Sequence, residues 1–347
     1  MPAPPVVHRR PVAVVVATLV LVAASGCASG SGQSSQTSAS PGRGSATSPT
    51  AHPPSTTAEA TTTTSPPAHL RASVVGPPLT QPLSRAVAVP RHGSVLVLGG
   101  RTAAKVSTAE VATWTPGGAA VVTGSLARRV HDSSVTVLGD HTLVLGGGDG
   151  GSVSDVQDVD ASGHGVGAGR LPTARSDLSA ATVGGTAYVL GGFDDRAGVV
   201  EVLATTDGRS FRSVAALPGE VRYGAVVAVG GQVLVFGGED EQGATDAVLG
   251  FDPGAGRVSQ VATLPVALSH ASAFVLEGRV YVAGGRTGDR RHGEIWRYDP
   301  GSKTFTQVGT LPEARSDAAV AVVGDTAYLL GGETPATLDS VVAVTAG

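Results

Sequence analysis

The feature that most constrains this chain is a phrase written six times, a short apolar run closed by two glycines. It reads SVLVLGG ending at Gly100, TLVLGG at Gly147, AYVLGG at Gly192, VLVFGG at Gly238, VYVAGG at Gly285 and AYLLGG at Gly332. The first glycines of these pairs, Gly99, Gly146, Gly191, Gly237, Gly284 and Gly331, follow one another at steps of 47, 45, 46, 47 and 47 residues. A steady period of this length marks an array of equivalent units, each of which needs its neighbours to bury its apolar face. Inside each unit the apolar residues alternate at period 2 without a helical stripe, so the units are built of strands. The 49 glycines and 22 prolines supply the many tight turns that such an array requires.

Each unit divides into four strands. Around the third phrase, DLSAATV and TAYVLGG form a first hairpin, GVVEVLAT follows after a loop, and FRSVAAL completes the set. The third strand carries an apolar marker ten to twelve places after the first glycine: Val111, Val156, Val202, Val248, Ile295 and Val341. Turn chemistry separates the third strand from the fourth, as in TPGG from Thr115, TDGRS from Thr206, DPGAG from Asp252 and DPGSK from Asp299. Other glycine pairs, Gly184–Gly185 and Gly230–Gly231, precede the apolar run and suit the hairpin turn.

Six such motifs in register resemble the Kelch repeat of β-propellers. The resemblance implies an all-β, six-bladed propeller over residues 71–347. Wedge-shaped sheets crowd at the axis of such a ring, and paired glycines there permit close backbone approach and a positive φ. The last unit stops after its third strand at LDSVVAVTAG, while RASVVGPPL, Arg71 to Leu79, reads as an orphan fourth strand that closes the last blade. The chain departs from the Kelch pattern in its aromatics. Only the fifth unit, with Trp296, Tyr298 and Phe305, comes near it, so the blades are expected to pack through Val, Ala and Leu.

The N-terminal region reads as an address and a tether. Residues 1–26 carry His8, Arg9 and Arg10, then an apolar run from Val12 to Ala24 and small residues ahead of Cys27, the only cysteine. The run is short for a membrane span. ASGC, Ala24 to Cys27, resembles the lipobox of bacterial lipoproteins, with Ala24 departing from the usual Leu. The resemblance implies a signal peptide over 1–26, lipidation of Cys27, and anchorage to the cell membrane facing outside the cytoplasm. From Ala28 to His69 the chain has no Val, Ile, Leu, Met or aromatic residue, so residues 27–70 are expected to be a disordered Ser/Thr/Pro-rich linker.

Candidate functional residues fall on one face of the expected ring. Fourteen positions before each glycine pair, leading into the innermost strand, stand Arg85, Asp132, Asp177, Tyr223, His270 and Asp317. Directly after the pairs stand Arg101, Gly148, Phe193, Glu239, Arg286 and Glu333. Strand alternation brings both sets to one axial mouth, the expected site for a ligand. The aspartates are expected as acceptors, Arg85 as a donor and Tyr223 as a platform. Structural capping of loop amides is the competing reading. Opposed blades are expected to stand too far apart for a compact metal cage, and neither a metal nor a cofactor is expected. His131, His141, His164 and His292 read as surface histidines, and TTDGRSF, Thr205 to Phe211, reads as a turn despite a faint resemblance to the aspartate box of sialidases.

No nucleophile triad, phosphate loop or zinc motif appears, so no catalytic residue is assigned. A net charge of −4 gives little electrostatic basis for nucleic-acid binding. The expected function is a binding or scaffold module for a protein or carbohydrate at the cell envelope. The enzyme alternative is a carbohydrate-active one resembling the six-bladed sialic-acid mutarotase, with His270, Arg85 and the aspartates as acid, base and anchor. Galactose oxidase also has Kelch blades, but its copper chemistry needs a cysteine that the propeller region lacks.

Overall fold

The computed structural model describes residues 69–347. The expected signal peptide, Cys27 and almost all of the linker lie outside the described residues. Described residues form strands, turns and loops without a helix, and their main sheets are six, each of four antiparallel strands. Blade 1 is built from Val87–Arg91, Ser94–Leu98, Glu110–Trp114 and Val121–Ser125, counted outward from the axis. Blade 2 uses Ser134–Leu138, His141–Leu145, Asp155–Val159 and Gly165–Arg170. Blade 3 uses Ser179–Val183, Thr186–Leu190, Glu201–Thr205 and Arg212–Ala216. Blade 4 uses Ala225–Val229, Gln232–Phe236, Ala247–Asp252 and Arg257–Thr263, and blade 5 Ser272–Leu276, Arg279–Ala283, Glu294–Asp299 and Thr304–Thr310.

Blade 6 joins the two ends of the described chain. Ala319–Val323, Thr326–Leu330 and Val341–Ala346 receive Leu70–Val75 as their outermost strand, with Leu70 opposite Ala346 and Val75 opposite Val341. The orphan strand read from the sequence is therefore the closing strand. The outer pair of each of blades 1 to 5 shifts register early in the third strand, after Val111, Val156, Val202, Val248 and Ile295. Such a bulge increases local twist and bends the outer strand. The blade 6 pair, made from the two distant ends, runs without one.

The core is divided among the seams between blades. Six clusters of buried residues fill the six seams, for example Val95, Val97, Trp114, Tyr328 and Val341 between blades 6 and 1. The six third-strand markers are all fully buried. Packing through Val, Ala and Leu holds generally, and blade 5 contributes the expected aromatics, Tyr298 against Phe305 and Phe236. Blade 1 adds one that the sequence reading passed over. Trp114 is fully buried against Tyr328, and its indole N–H donates to the Pro77 carbonyl.

The glycine pairs explain how neighbouring blades meet. The second glycine of each pair donates its N–H to a carbonyl just before the next blade: Gly100 to Val130, Gly147 to Arg175, Gly192 to Val221, Gly238 to Leu268, Gly285 to Arg315 and Gly332 to Leu83. The first glycine lies against that same carbonyl, so close that a Cβ at Gly237 would stand 2.0 Å from the Leu268 oxygen. Both glycines of every pair have positive φ. The doubled glycine is the seam of the ring, written once per blade.

Candidate functional site

The strand order and the glycine seams place six residues around the axis. Arg85, Asp132, Asp177, Tyr223, His270 and Asp317 each lead into an innermost strand, and each has a φ between 50° and 60°. Among the described residues eleven non-glycine residues have positive φ, and more than half of them are in this one ring. The conformation costs roughly 1–2 kcal/mol for a residue with a Cβ. It is held by a closed circle of backbone hydrogen bonds. Asp132 N–H donates to Arg85 carbonyl, Asp177 to Asp132, Tyr223 to Asp177, His270 to Tyr223, Asp317 to His270, and Arg85 to Asp317. With the backbone satisfied within the circle, the six side chains are left to line a cavity of about 120 Å³, over a layer of Ala86, Ser133, Leu178, Gly224, Ala271 and Ala318.

The side chains form an alternating line of charge. Glu239 Oε1 lies 3.6 Å from His270 Nε2, and His270 Nδ1 lies 2.6 Å from Asp317 Oδ1. Asp317 Oδ1 lies 3.4 Å from Arg85 Nε, and Arg85 Nη1 donates to Asp132 Oδ2 at 3.0 Å. The guanidinium of Arg85 stands 5.8 Å from the ring of Tyr223 on the opposite blade, so one long side chain spans the mouth. Arg222, just before the ring, donates from Nε to Asp177 at 3.3 Å and lies 4.5 Å from the ring centre of Phe193.

These contacts set the protonation of the ring. Burial, reinforced by the charges of Asp177 and Asp317 against the pull of Arg85, pushes Asp132 up to about 7. Burial also raises Asp177, in spite of Arg222. Burial alone would raise Asp317 too, but the hydrogen bond and charge of His270, together with Arg85, hold it well below the usual carboxylate range. The His270 hydrogen bond is the largest cause that holds Glu239 down to about 2. Burial opposes the charge on His270, yet Asp317 and Glu239 outweigh it and raise the imidazole above its ordinary value. Arg286 Nη2 stands 2.6 Å from His270 Nε2. That approach suits the neutral imidazole, whose Nε2 lone pair accepts from the guanidinium. For the protonated imidazole the Glu239 carboxylate, 3.6 Å from Nε2, is the nearby anion.

The six expected residues are thus brought together, with one correction to the roles within the ring. Tyr223 is not an open platform, because His270 stacks on its ring at 3.7 Å and Arg222 stands 5.3 Å from its centre. Phe193, which follows the blade 3 glycine pair, is the half-buried aromatic at the rim. Among the described residues no cluster of three or more His, Asp or Glu is arranged to hold a metal.

Two of the four histidines read as surface residues are built into the protein. His292 is buried beneath the blade 5 mouth hairpin, with Nε2 3.0 Å from Thr287 Oγ1. His131 Nδ1 lies 2.9 Å from Ser107 Oγ, and burial, with the charges of Arg85 and Arg101, lowers its proton affinity. Ser107, His131 and Asp132 lie in line, but Ser107 Oγ also reaches the Gly148 carbonyl as Ser152 Oγ reaches that of Phe193 one blade on. The serine is a repeated rung between mouth loops, and no nucleophile is assigned to it. The TTDGRSF segment is a turn, with Asp207 accepting from the N–H groups of Arg209 and Ser210.

Sequence reasoning missed Arg175 and Arg315. Both are fully buried, and each donates from Nη1 to the first glycine carbonyl of the pair that follows, Gly191 and Gly331. The signal was present as the tetrapeptide ARSD, written at Ala174–Asp177 and again at Ala314–Asp317.

The comparisons with known proteins bear on the fold. The KLHDC2/KLHL20/DRC7 Kelch-repeats domain matches residues 213–344, from the outer strand of blade 3 into blade 6. The fold is a six-bladed Kelch-type β-propeller. The solved structure of YjhT superposes on it with a TM-score of 0.64 at 16% identity, covering 78% of this chain and 97% of YjhT. In all, 833 solved chains match, so the fold is widely shared and does not by itself indicate a function. No curated protein matches the chain.

Proposed function

We propose that this Kelch-type propeller is a recognition module that binds a polar ligand, a carbohydrate or a protein segment, at its axial mouth, and that a lipidated Cys27 and the linker hold it at the outer face of the membrane. The observation that carries the mouth reading is the ring itself: six strained, non-glycine residues aim polar side chains into one cavity. Backbone strain of this kind persists where surrounding structure over-determines it and clusters at binding sites. The cavity suits a single substituent or side chain of a larger ligand. Mouth cations and carboxylates alternate, which favours a ligand that offers both hydrogen-bond donors and acceptors.

One observation favours a second reading, a carbohydrate-active enzyme that resembles the sialic-acid mutarotase. Asp132, pushed up to about 7, stands across the axis from His270. Groups whose proton affinities are tuned near neutrality are suited to acid–base work. In a mutarotase one group takes the proton from the anomeric hydroxyl while the other protonates the ring oxygen; the ring opens and recloses on the other face.

The test is thermal unfolding of the chain against a panel of neutral sugars, acidic sugars and peptides, with Asp177→Asn as the mouth variant. Asparagine keeps an oxygen for Arg222, so the fold should survive. A ligand at about a hundred times its dissociation constant should stabilise the wild type by about 2.7 kcal/mol. The mouth reading requires that the shift shrink in the variant; a panel with no shift at all would overturn it. Any sugar that binds is then followed by NMR for faster exchange between its anomers, and no acceleration removes the enzyme reading.

A further inference from the structure

Three residues after each third-strand marker, where that strand nears the face opposite the mouth, stand Trp114, Val159, Thr205, Phe251, Tyr298 and Val344. All six are buried. Three of them carry a polar atom, and two of these have a partner within the fold. The Trp114 indole N–H donates to the Pro77 carbonyl, and Thr205 Oγ1 accepts from the N–H of Gly208 in its own turn. Tyr298 is different. It is only 3% exposed and its ring is held against Phe236 and Phe305, yet among the described residues its hydroxyl has no hydrogen-bond partner. Packing accounts for the ring and leaves the hydroxyl unexplained, because a buried polar group without a partner is costly.

Two hollows of about 390 and 290 Å³ open beside this residue, and Val229, Tyr298 and Pro300 line both. They lie between the inner hairpins of blades 4 and 5, on the face away from the axial ring. Leu234 and Val261 extend the apolar wall of the larger one, whose size is that of a small-molecule pocket. The polar groups around the hollows are chiefly donors. Lys303 and Gln232 line the larger hollow, and Arg279 and Arg297 line the smaller. Asp299 is the single carboxylate among the lining residues, and its Oδ1 accepts from the N–H groups of Gly301 and Ser302. Burial and the charge of Asp299 raise the proton affinity of the Tyr298 hydroxyl, so it stays a donor. Lys303 holds a φ of 59° at the turn position where blade 4 has Gly256 at 60°. A lysine thus stands beside the cleft at a place that suits glycine better.

We propose that this cleft between blades 4 and 5 is a second ligand site, which takes a small carboxylate with an apolar body. The carboxylate accepts from the Tyr298 hydroxyl with the charge of Lys303 beside it, and the apolar body lies against Val229, Leu234 and Pro300. The site is separate from the axial mouth and does not depend on the mouth reading.

Residues Thr63–Gly347 form a compact unit with a closed ring and complete seams, and this unit is the one to use. It is titrated with phenylacetate and hexanoate, and with phenylacetamide, which keeps the ring without the charge, while amide NMR follows the backbone. Both carboxylates should shift the amides of Gly230, Gly231 and Lys303, with a dissociation constant on the order of a millimolar, and leave those of Asp132 and His270 in place. Phenylacetamide should bind roughly fivefold more weakly or worse. Tyr298→Phe should weaken phenylacetate roughly tenfold without lowering the melting temperature, because the hydroxyl has no partner to lose in the free protein. Lys303→Gly should also weaken it without lowering the melting temperature, since glycine relieves the left-handed backbone. Asp177→Asn should bind phenylacetate as the wild type does, which separates the cleft from the mouth. No shift at the cleft with either carboxylate, equal affinity for phenylacetamide, or equal affinity in Tyr298→Phe would overturn the proposal. So would a lower melting temperature in Tyr298→Phe, by giving the hydroxyl a structural partner.

Discussion

Asp132 and Asp317 occupy equivalent positions of the ring, two blades apart, and differ in what reaches their carboxylates. Asp317 is met by His270 Nδ1 and Arg85 Nε, and Ser316 Oγ donates to its other oxygen at 2.5 Å. Asp132 receives Arg85 alone at hydrogen-bond distance and is otherwise desolvated. The signs of their pH dependence are therefore opposite. A carboxyl whose proton affinity is raised by folding contributes stability at low pH and loses it as pH rises through its folded value, here from about 4 to about 7. Asp317, held below its ordinary range, contributes above about pH 4 and loses that contribution as the pH falls further. With about 1.4 kcal/mol for each tenfold change in proton affinity, the wild type should lose on the order of 4 kcal/mol relative to Asp132→Asn between pH 4 and pH 8. Asp317→Asn should instead cost roughly 3–5 kcal/mol at neutral pH, because His270 and Arg85 are left facing a neutral partner. Denaturant titrations across that pH range check both. Stability of wild type and Asp132→Asn that runs parallel with pH would refute the assignment at Asp132.

At the scale of the strand and its turn, the glycines divide into two kinds that the sequence alone already separated by position. Gly230 sits in the hairpin of blade 4 with a φ of +57° and open space where a Cβ would go. Gly237 has nearly the same φ, +59°, but its Cβ would meet the Leu268 carbonyl of the next blade. Gly230→Ala should thus cost only the left-handed strain, roughly 1–2 kcal/mol. Gly237→Ala should cost roughly 3 kcal/mol or more, since the backbone of the blade 4–5 seam must shift as well. Equal losses in urea unfolding would mean that the seam is softer than its contacts imply. The hairpins, the third-strand markers and the turns were legible because each follows from local periodicity and turn chemistry. Arg175 and Arg315 were not, because a charged side chain in a strand-to-strand loop reads as exposed. Only the curve of the next blade buries its guanidinium and supplies carbonyls to receive it.

Across the whole molecule, closure depends on one strand that comes from the far end of the domain. A chain beginning at Gly76 would lack Leu70–Val75 and leave Val341–Ala346 as an open edge, and the buried cluster that includes Ile295 and Val308 would lose Leu70. Such a chain should melt at a markedly lower temperature than Thr63–Gly347 and associate through the exposed edge. A monomer with unchanged melting by scanning calorimetry would contradict the role given to that strand. The sequence by itself determined the number of blades, their strand order, the position of the seams and the membership of the axial ring, because each is a consequence of a repeat whose period and turn residues are local. Only the tertiary structure decided how the ring residues are used. Whether Asp132 or Asp317 keeps its proton and whether Tyr223 is open or covered by His270 depend on neighbours that lie a blade or more away along the chain. Electrostatic and packing interactions act through space, and a sequence records them only where the fold repeats them.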